Sequence, residues 1–309
     1  MRSRPFQQVD VFTTHPYRGN PLAVVLDGDA LDDAAMQRFA QWTNLSETTF
    51  LLPPTDPAAD YRVRIFTPNC ELDFAGHPTL GSCHAWLRAG GKSRAPGQVV
   101  QQCNVGLVPM RREGERLAFA APAMQRSAPS PSQLARIAAA LRLQARQIVA
   151  AQSLDNGTTW LGLLLDDVDT VLALAPDHRA LKALGQKVGI AAVPGAPATS
   201  ALIGRSNREA RAFAGSTAGA PGVLPDVPVG LEVRAFASCI GIEEDPVTGS
   251  LNASLAQWLI EAGHLPASYV AGQGQCLGRD GRVHLERDAS GQVWVGGDAV
   301  TCIEGRVAL

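Results

Sequence analysis

The strongest constraint on this chain is that it contains itself twice. Val63-Arg64-Ile65-Phe66 recurs as Val233-Arg234-Ala235-Phe236. A polar loop follows each copy. It leads to Gly76-His77-Pro78-Thr79-Leu80-Gly81-Ser82 in the first half and Glu244-Asp245-Pro246-Val247-Thr248-Gly249-Ser250 in the second. Each loop opens a helical stretch carrying a tryptophan, Trp86 or Trp258, and closing on Ala89-Gly90 or Ala262-Gly263. Order, spacing and helix length agree together, so the matches mark a duplication, by the self-similarity logic of repeat proteins. Strand, loop, helix and further strands, taken twice, imply two similar halves about a pseudo-two-fold axis.

The 309 residues exceed the roughly 250–300 at which single cores stop growing, which predicts two domains. The Ala/Pro/Ser-rich stretch Ala121 to Pro131 reads as the linker, giving residues 1–124 and 125–309, with the last strand free to return to the first domain. Strands are predicted at Gln8–Thr13, Leu22–Leu26, Ser46–Leu52, Gln98–Cys103, Leu117–Ala120 and Thr158–Leu165, and at Tyr61–Phe66, where apolar and basic residues alternate. Helices are expected at Asp32–Trp42, where Ala35, Phe39 and Trp42 share a face, and at Pro78–Ala89, Pro131–Leu143 and Ala180–Val188. Gly/Pro/Ala-rich loops are expected at Ala191–Pro197 and Gly215–Pro228.

A net charge of −2 with 18% charged residues creates no field to draw nucleic acid or an anionic membrane. No apolar run approaches the ~20 residues of a membrane span, and Met1 to Asp10 lacks a signal-peptide core. A cytoplasmic protein with a small-molecule partner is expected. The six cysteines form no Cys-x-x-Cys pair and read as free, packed thiols. No Gly-rich nucleotide loop follows a strand. His77 and His84 share a helix face, but no third ligand has suitable spacing, so no metal site is expected.

Chemistry concentrates at the two loop-to-helix junctions. Pro78 and Pro246 suit a first helical position, where a missing N–H costs nothing. The free N–H groups of such a turn form an anion site. Gly76, Gly81 and Gly249 allow close backbone approach. If the duplication sets the two N-termini face to face, a small carboxylate fits between them. Ordinary capping by Asp245 is the plainer reading of one junction alone. Two matched junctions bearing different ionisable residues, His77 and Asp245, point instead to divergent roles in one cleft. Glu47, among Ser46, Thr48 and Thr49 at the start of a strand, reads by itself as a solvated edge residue.

These residues carry a family resemblance. Val9-Asp10-Val11-Phe12-Thr13, Gly19-Asn20-Pro21-Leu22-Ala23-Val24-Val25, Ser46-Glu47-Thr48 and Arg64-Ile65-Phe66-Thr67-Pro68 resemble the phenazine-biosynthesis PhzF-like family. So do Glu71-Leu72, Phe74-Ala75-Gly76-His77-Pro78-Thr79-Leu80-Gly81, Asp245-Pro246-Val247-Thr248-Gly249-Ser250 and Gly278-Arg279-Asp280-Gly281-Arg282-Val283. The resemblance implies an α+β fold like that of diaminopimelate epimerase: two similar domains, each a curved, mostly antiparallel sheet or open barrel around a central helix. It further implies a homodimer and a cofactor-independent isomerase, as in trans-2,3-dihydro-3-hydroxyanthranilate isomerisation. In that reading Glu47 carries the proton, while His77, Asp245 and Ser250 orient and polarise the substrate. Backbone N–H groups near Gly76 and Gly249 hold its carboxylate.

One departure stands out: Asp73 takes the place of the family's usual proline before Phe74, which bears on the loop and on substrate choice. Two other functions compete. Racemases of this fold carry a cysteine just before each glycine turn, whereas Ala75 precedes Gly76 and no cysteine lies between Asp245 and Ser250. A non-catalytic carboxylate-binding protein on the same scaffold is the other, and it has no need for Glu47, His77, Asp245 and Ser250 together.

Overall fold

The computed structural model describes residues 1–195 and 228–309. The loop expected at Gly215–Pro228 therefore lies outside the described residues, apart from Pro228.

In the first half, β1 (Ser3–Val11), β2 (Asn20–Val25), β3 (Thr48–Leu52), β4 (Tyr61–Phe66), β5 (Glu71–Leu72), β6 (Gln98–Cys103), β7 (Gly106–Glu113) and β8 (Arg116–Ala120) wrap α2 (Gly76–Arg88). The second half holds β9 (Gln125–Ser127), β10 (Ile148–Asp155), β11 (Thr159–Leu165), β12 (Lys187–Ala192), β13 (Leu231–Ala237), β14 (Ile242–Asp245), β15 (Ser268–Gln273), β16 (Gly281–Arg287) and β17 (Val293–Gly297). Its central helix is α6 (Gly249–Glu261), and the chain closes on β18 (Ala299–Ala308).

The duplication is written into the hydrogen bonding. Lateral order runs β18-β1-β2-β3-β4-β6-β7-β8 in one half and β9-β10-β11-β12-β13-β15-β16-β17 in the other. In both, the third and fourth strands of that order pair parallel, as do the fifth and sixth. The last strand of each half, β8 and β17, pair antiparallel and make one continuous sheet. β18 crosses back to pair with β1.

The register corrects how the two halves superpose. Ile65 lies opposite Leu72 in one half and Ala235 opposite Asp245 in the other, so Asp245 matches Leu72, not His77. Gly76 and Gly249 each open a helix of 13 residues and are the true equivalents. Four residues separate Phe66 from Glu71 but seven separate Phe236 from Glu244, the extra turn being the 3-10 segment Ser238–Ile240. The capping expectations change accordingly. Thr248, not Asp245, is the N-cap of α6; Pro246 lies before the helix and Pro78 is the third helical residue, still within the turn whose N–H groups are free.

Each copy of the repeated strand carries the same clamp. Arg64 pairs bidentately with Glu71 at 2.8 and 2.6 Å, and Arg234 with Glu244 at 2.9 and 2.8 Å. Each guanidinium also lies over the next phenylalanine, Phe66 at 5.1 Å or Phe236 at 4.9 Å. This is why Arg at that position survives in a strand otherwise made for burial.

Helices cover the outer faces. In α1 (Asp33–Thr43), Asp32 caps the N-terminus through Ala35 N, and Asn44 closes it in the left-handed region at φ 54°. Its buried face is Met36, Phe39 and Ala40, packed with Val25, Phe50 and Phe66. Trp42, expected on that face, is 81% exposed and stacks on Phe39 from outside. The i, i+3, i+4 spacing from Met36 selects the buried stripe, and Trp42 falls beside it. α3 (Pro131–Leu141), α4 (Val168–Ala173) and α5 (His178–Leu184) cover β11 and β12 similarly. The helix expected to run to Val188 ends at Gly185, left-handed at φ 66°, and Val188 to Ala192 are buried in β12 instead. The loop expected from Ala191 thus begins two residues late.

The largest core cluster is shared by the halves: Val9, Leu22, Leu80 and Phe119 join Leu154, Trp160, Val247, Leu251 and Val295. All six cysteines are free, yet Cys70 and Cys276 are exposed, not packed as expected, because Cys70 lies in the loop before β5 and Cys276 in the short 3-10 segment Gln275–Leu277. Among the described residues, no helix is long and apolar enough to cross a membrane.

Candidate active site

The two central helices meet end to end. A Cβ built on Gly249 would lie 3.2 Å from Gly76 Cα and 3.4 Å from His77 N, so any side chain there would have to push the facing backbone aside. Neither α2 nor α6 has a side-chain cap hydrogen bond at its N-terminus. Two sets of free amides, with the positive ends of two helix dipoles, therefore converge on one point.

Glu47, just before β3, faces His77, the second residue of α2, with Oε2 and Nε2 3.3 Å apart. The side chains are only 15% and 7% exposed. Their alignment makes no hydrogen bond, and both atoms are buried without another partner among the described residues. A buried polar pair left unsatisfied is costly unless a ligand completes it. Burial pushes the Glu47 carboxyl up to about 8, the neighbouring Asp245 charge adds to the rise, and Lys187 opposes it. Burial likewise pulls His77 down to about 3, so its ring is neutral at physiological pH and can give or take a single hydrogen. Glu47 is thus no solvated edge residue: the first turn of α2 covers it.

Asp245, at the end of β14, reaches across the halves. Its Oδ1 accepts from Asn20 Nδ2 at 3.1 Å and its Oδ2 from Thr248 Oγ1 at 2.6 Å. Burial raises its carboxyl to about 6, held back by those two hydrogen bonds and by Lys187. Gln273 locks the turn, accepting from Thr248 N and Asn252 Nδ2 and donating to the Asp245 carbonyl. Ser250, the partner of His77 in the duplicated register, accepts from Trp160 Nε1 at 3.2 Å, while its carbonyl accepts from Asn156 Nδ2 at 3.0 Å.

All six residues singled out from the sequence, Glu47, His77, Asp245, Ser250, Gly76 and Gly249, gather at this junction. The sequence by itself marks no role for Asn20, Thr248, Gln273, Trp160 or Lys187. Asn20 and Thr248 stand inside the quoted motifs; Asn20's partners, Asp245 and Val247, lie in the other half of the chain, and Thr248 bonds Asp245 within its own motif. Asp73 is exposed on the bend before Phe74, whose ring packs edge-on against Phe119 at 5.5 Å. His84 Nε2 meets Thr301 Oγ1 at 3.0 Å. Among the described residues, no cluster of three or more His, Cys, Asp or Glu could hold a metal ion.

A model of the family PhzC-PhzF, phenazine biosynthesis-like protein, matches residues 9–220 and 224–305. The chain belongs to the PhzC-PhzF family. Trans-2,3-dihydro-3-hydroxyanthranilate isomerase of Pseudomonas aeruginosa is 32% identical, covering 97% of this chain and 98% of that protein. Antisense-enhancing sequence 1 of Schizosaccharomyces pombe is also 32% identical, over 99% of both. A PhzF-family protein of Bacillus anthracis has the same fold at a TM-score of 0.78 and 23% identity, over 100% of both chains. A probable proline racemase from Agrobacterium radiobacter K84 shares the fold at 0.61 and 12%, over 99% of this chain and 93% of that one. The PhzC-PhzF relatives include named isomerases, and the racemase likeness extends the fold to epimerase-type enzymes.

Proposed function

We propose that the chain is a cofactor-independent isomerase that moves a proton within a small carboxylate substrate, similar to trans-2,3-dihydro-3-hydroxyanthranilate isomerase. The observation that carries this is Glu47, a buried carboxyl facing His77 at 3.3 Å where two uncapped helix N-termini meet. Ionised Glu47 takes a proton from a carbon, and the released electron pair moves into the conjugated system. Protonated Glu47, its acidic hydrogen exchanging with solvent in between, then delivers a proton to another carbon on the same face, so nothing is gained or lost overall. A carboxyl raised toward neutrality suits both halves of this exchange. His77, Asp245 and Ser250 orient and polarise the substrate, and the amides near Gly76 and Gly249 receive its carboxylate.

Ala75 and Thr248 precede the two equivalent glycines, where a two-base racemase would need thiols. That disfavours amino-acid racemisation by cysteine.

The test incubates the protein with trans-2,3-dihydro-3-hydroxyanthranilate and related cyclic carboxylates in heavy water. Deuterium should enter the substrate with wild-type protein and not with Glu47→Gln. Exchange that persists in Glu47→Gln would overturn the assignment. Binding without exchange by either protein would favour a carboxylate-binding role instead. A homodimer, read from the family resemblance, is the assembly we propose, and the cytoplasm its compartment.

A further inference from the structure

The duplicated register gives Glu47 a counterpart. Thr48 pairs with Phe66 in the first half, and Val188 pairs with Phe236 in the second. The residue before each is Glu47 or Lys187. One cleft is therefore approached by an acid from one half and a cation from the matching position in the other. Lys187 Nζ donates to Thr158 Oγ1 at 2.6 Å and lies 5.6 Å from the centroid of Trp160, the residue that holds Ser250. Among the described residues its ammonium has no ion-pair partner, although its charge acts on both Glu47 and Asp245.

The charges make the need plain. A carboxylate substrate enters a cleft that already holds two buried carboxyls, and proton abstraction requires Glu47 to be ionised. Helix dipoles offer only about half a charge each. A full positive charge opposite Glu47 offsets the repulsion and discriminates an anionic substrate from a neutral one.

From this we infer that Lys187 is the specificity-determining cation of the cleft, pairing with the substrate's carboxylate on the wall opposite Glu47. The inference rests on the proposed function for its substrate class, but its test does not require turnover. The probes are 3-hydroxyanthranilate, the aromatic analogue of the relatives' substrate, and its carboxamide, measured by titration calorimetry.

Wild-type protein should bind the acid about tenfold or more tightly than the amide, as a charge-assisted contact allows. Lys187→Met should bring that ratio near one, and Lys187→Arg should keep it. Lys187→Gln, which retains a donor to Thr158, should behave as the methionine variant does and serves in its place if that one does not fold. An unchanged ratio in the neutral variants, equal weakening of both probes, or binding of neither probe by wild-type protein overturns the inference. Exchange in heavy water with an unchanged ratio removes the lysine's role alone. A collapsed ratio without exchange removes the proton-transfer reading alone.

Discussion

At neutral pH Glu47 keeps a hydrogen that an exposed glutamate has already lost, and this has consequences for both stability and rate. Its carboxyl is raised from 4.5 to about 8 on folding. The native state therefore binds the extra proton between those values, and the associated stability is fully present below pH 4.5 and lost as pH rises through 8. Glu47→Gln should remove this loss, so the variant gains on wild type by a few kcal/mol toward pH 9 in urea titrations run across pH. Rate should move the other way. The abstracting form is the carboxylate, so kcat/KM should climb with pH through a limb near 8. Glu47→Gln should lower exchange by about 10²–10⁴ while leaving the fold intact.

At the scale of elements, the two helix ends and the two clamps give the sharpest expectations. Gly249→Ala puts a methyl group 3.2 Å from Gly76 Cα and forces the helix N-termini apart. A melting experiment should show a loss of about 1–3 kcal/mol, and the exchange rate should fall by more than that loss explains. The clamps are alike in geometry but unequal in burial. Arg234 and Glu244 are 7% and 9% exposed, against 15% and 25% for Arg64 and Glu71. Arg234 also donates to the carbonyls of Val171 and Leu174. Arg234→Gln should cost about 3–5 kcal/mol by leaving a buried carboxylate alone, and Arg64→Gln about 1 kcal/mol, both measured by chemical denaturation.

At the scale of the molecule, β8 pairs with β17, β18 pairs with β1, and one apolar cluster runs through both halves. A fragment of residues 1–124 lacks β18 and leaves β1 with an open edge. It should stay unfolded alone by circular dichroism, and the full chain should unfold in a single transition by tryptophan fluorescence and circular dichroism together.

The same scale explains what the sequence could and could not reveal. The recurring Val-Arg-x-Phe strand was legible because an arginine clamp imposes its own spacing. The register was not: Gly81-Ser82 matches Gly249-Ser250 letter for letter, while the backbone matches Gly76 through a turn three residues longer. Glu47 reads as solvated because its cover, His77 on α2, belongs to another element thirty residues on, and only the family resemblance marks it. The helical spacing of Ala180–Val188 takes in Lys187 and conceals the strand position that makes it Glu47's counterpart.

The contact between Gly76 and Gly249 acts as a ruler. It is main chain against main chain, so the gap it sets does not depend on which side chains line the walls. Substitutions around the junction can retailor the ligand while the span between proton carrier and anion seat stays constant. Relatives that turn over quite different molecules would then share one gauge, differing in upholstery and not in frame.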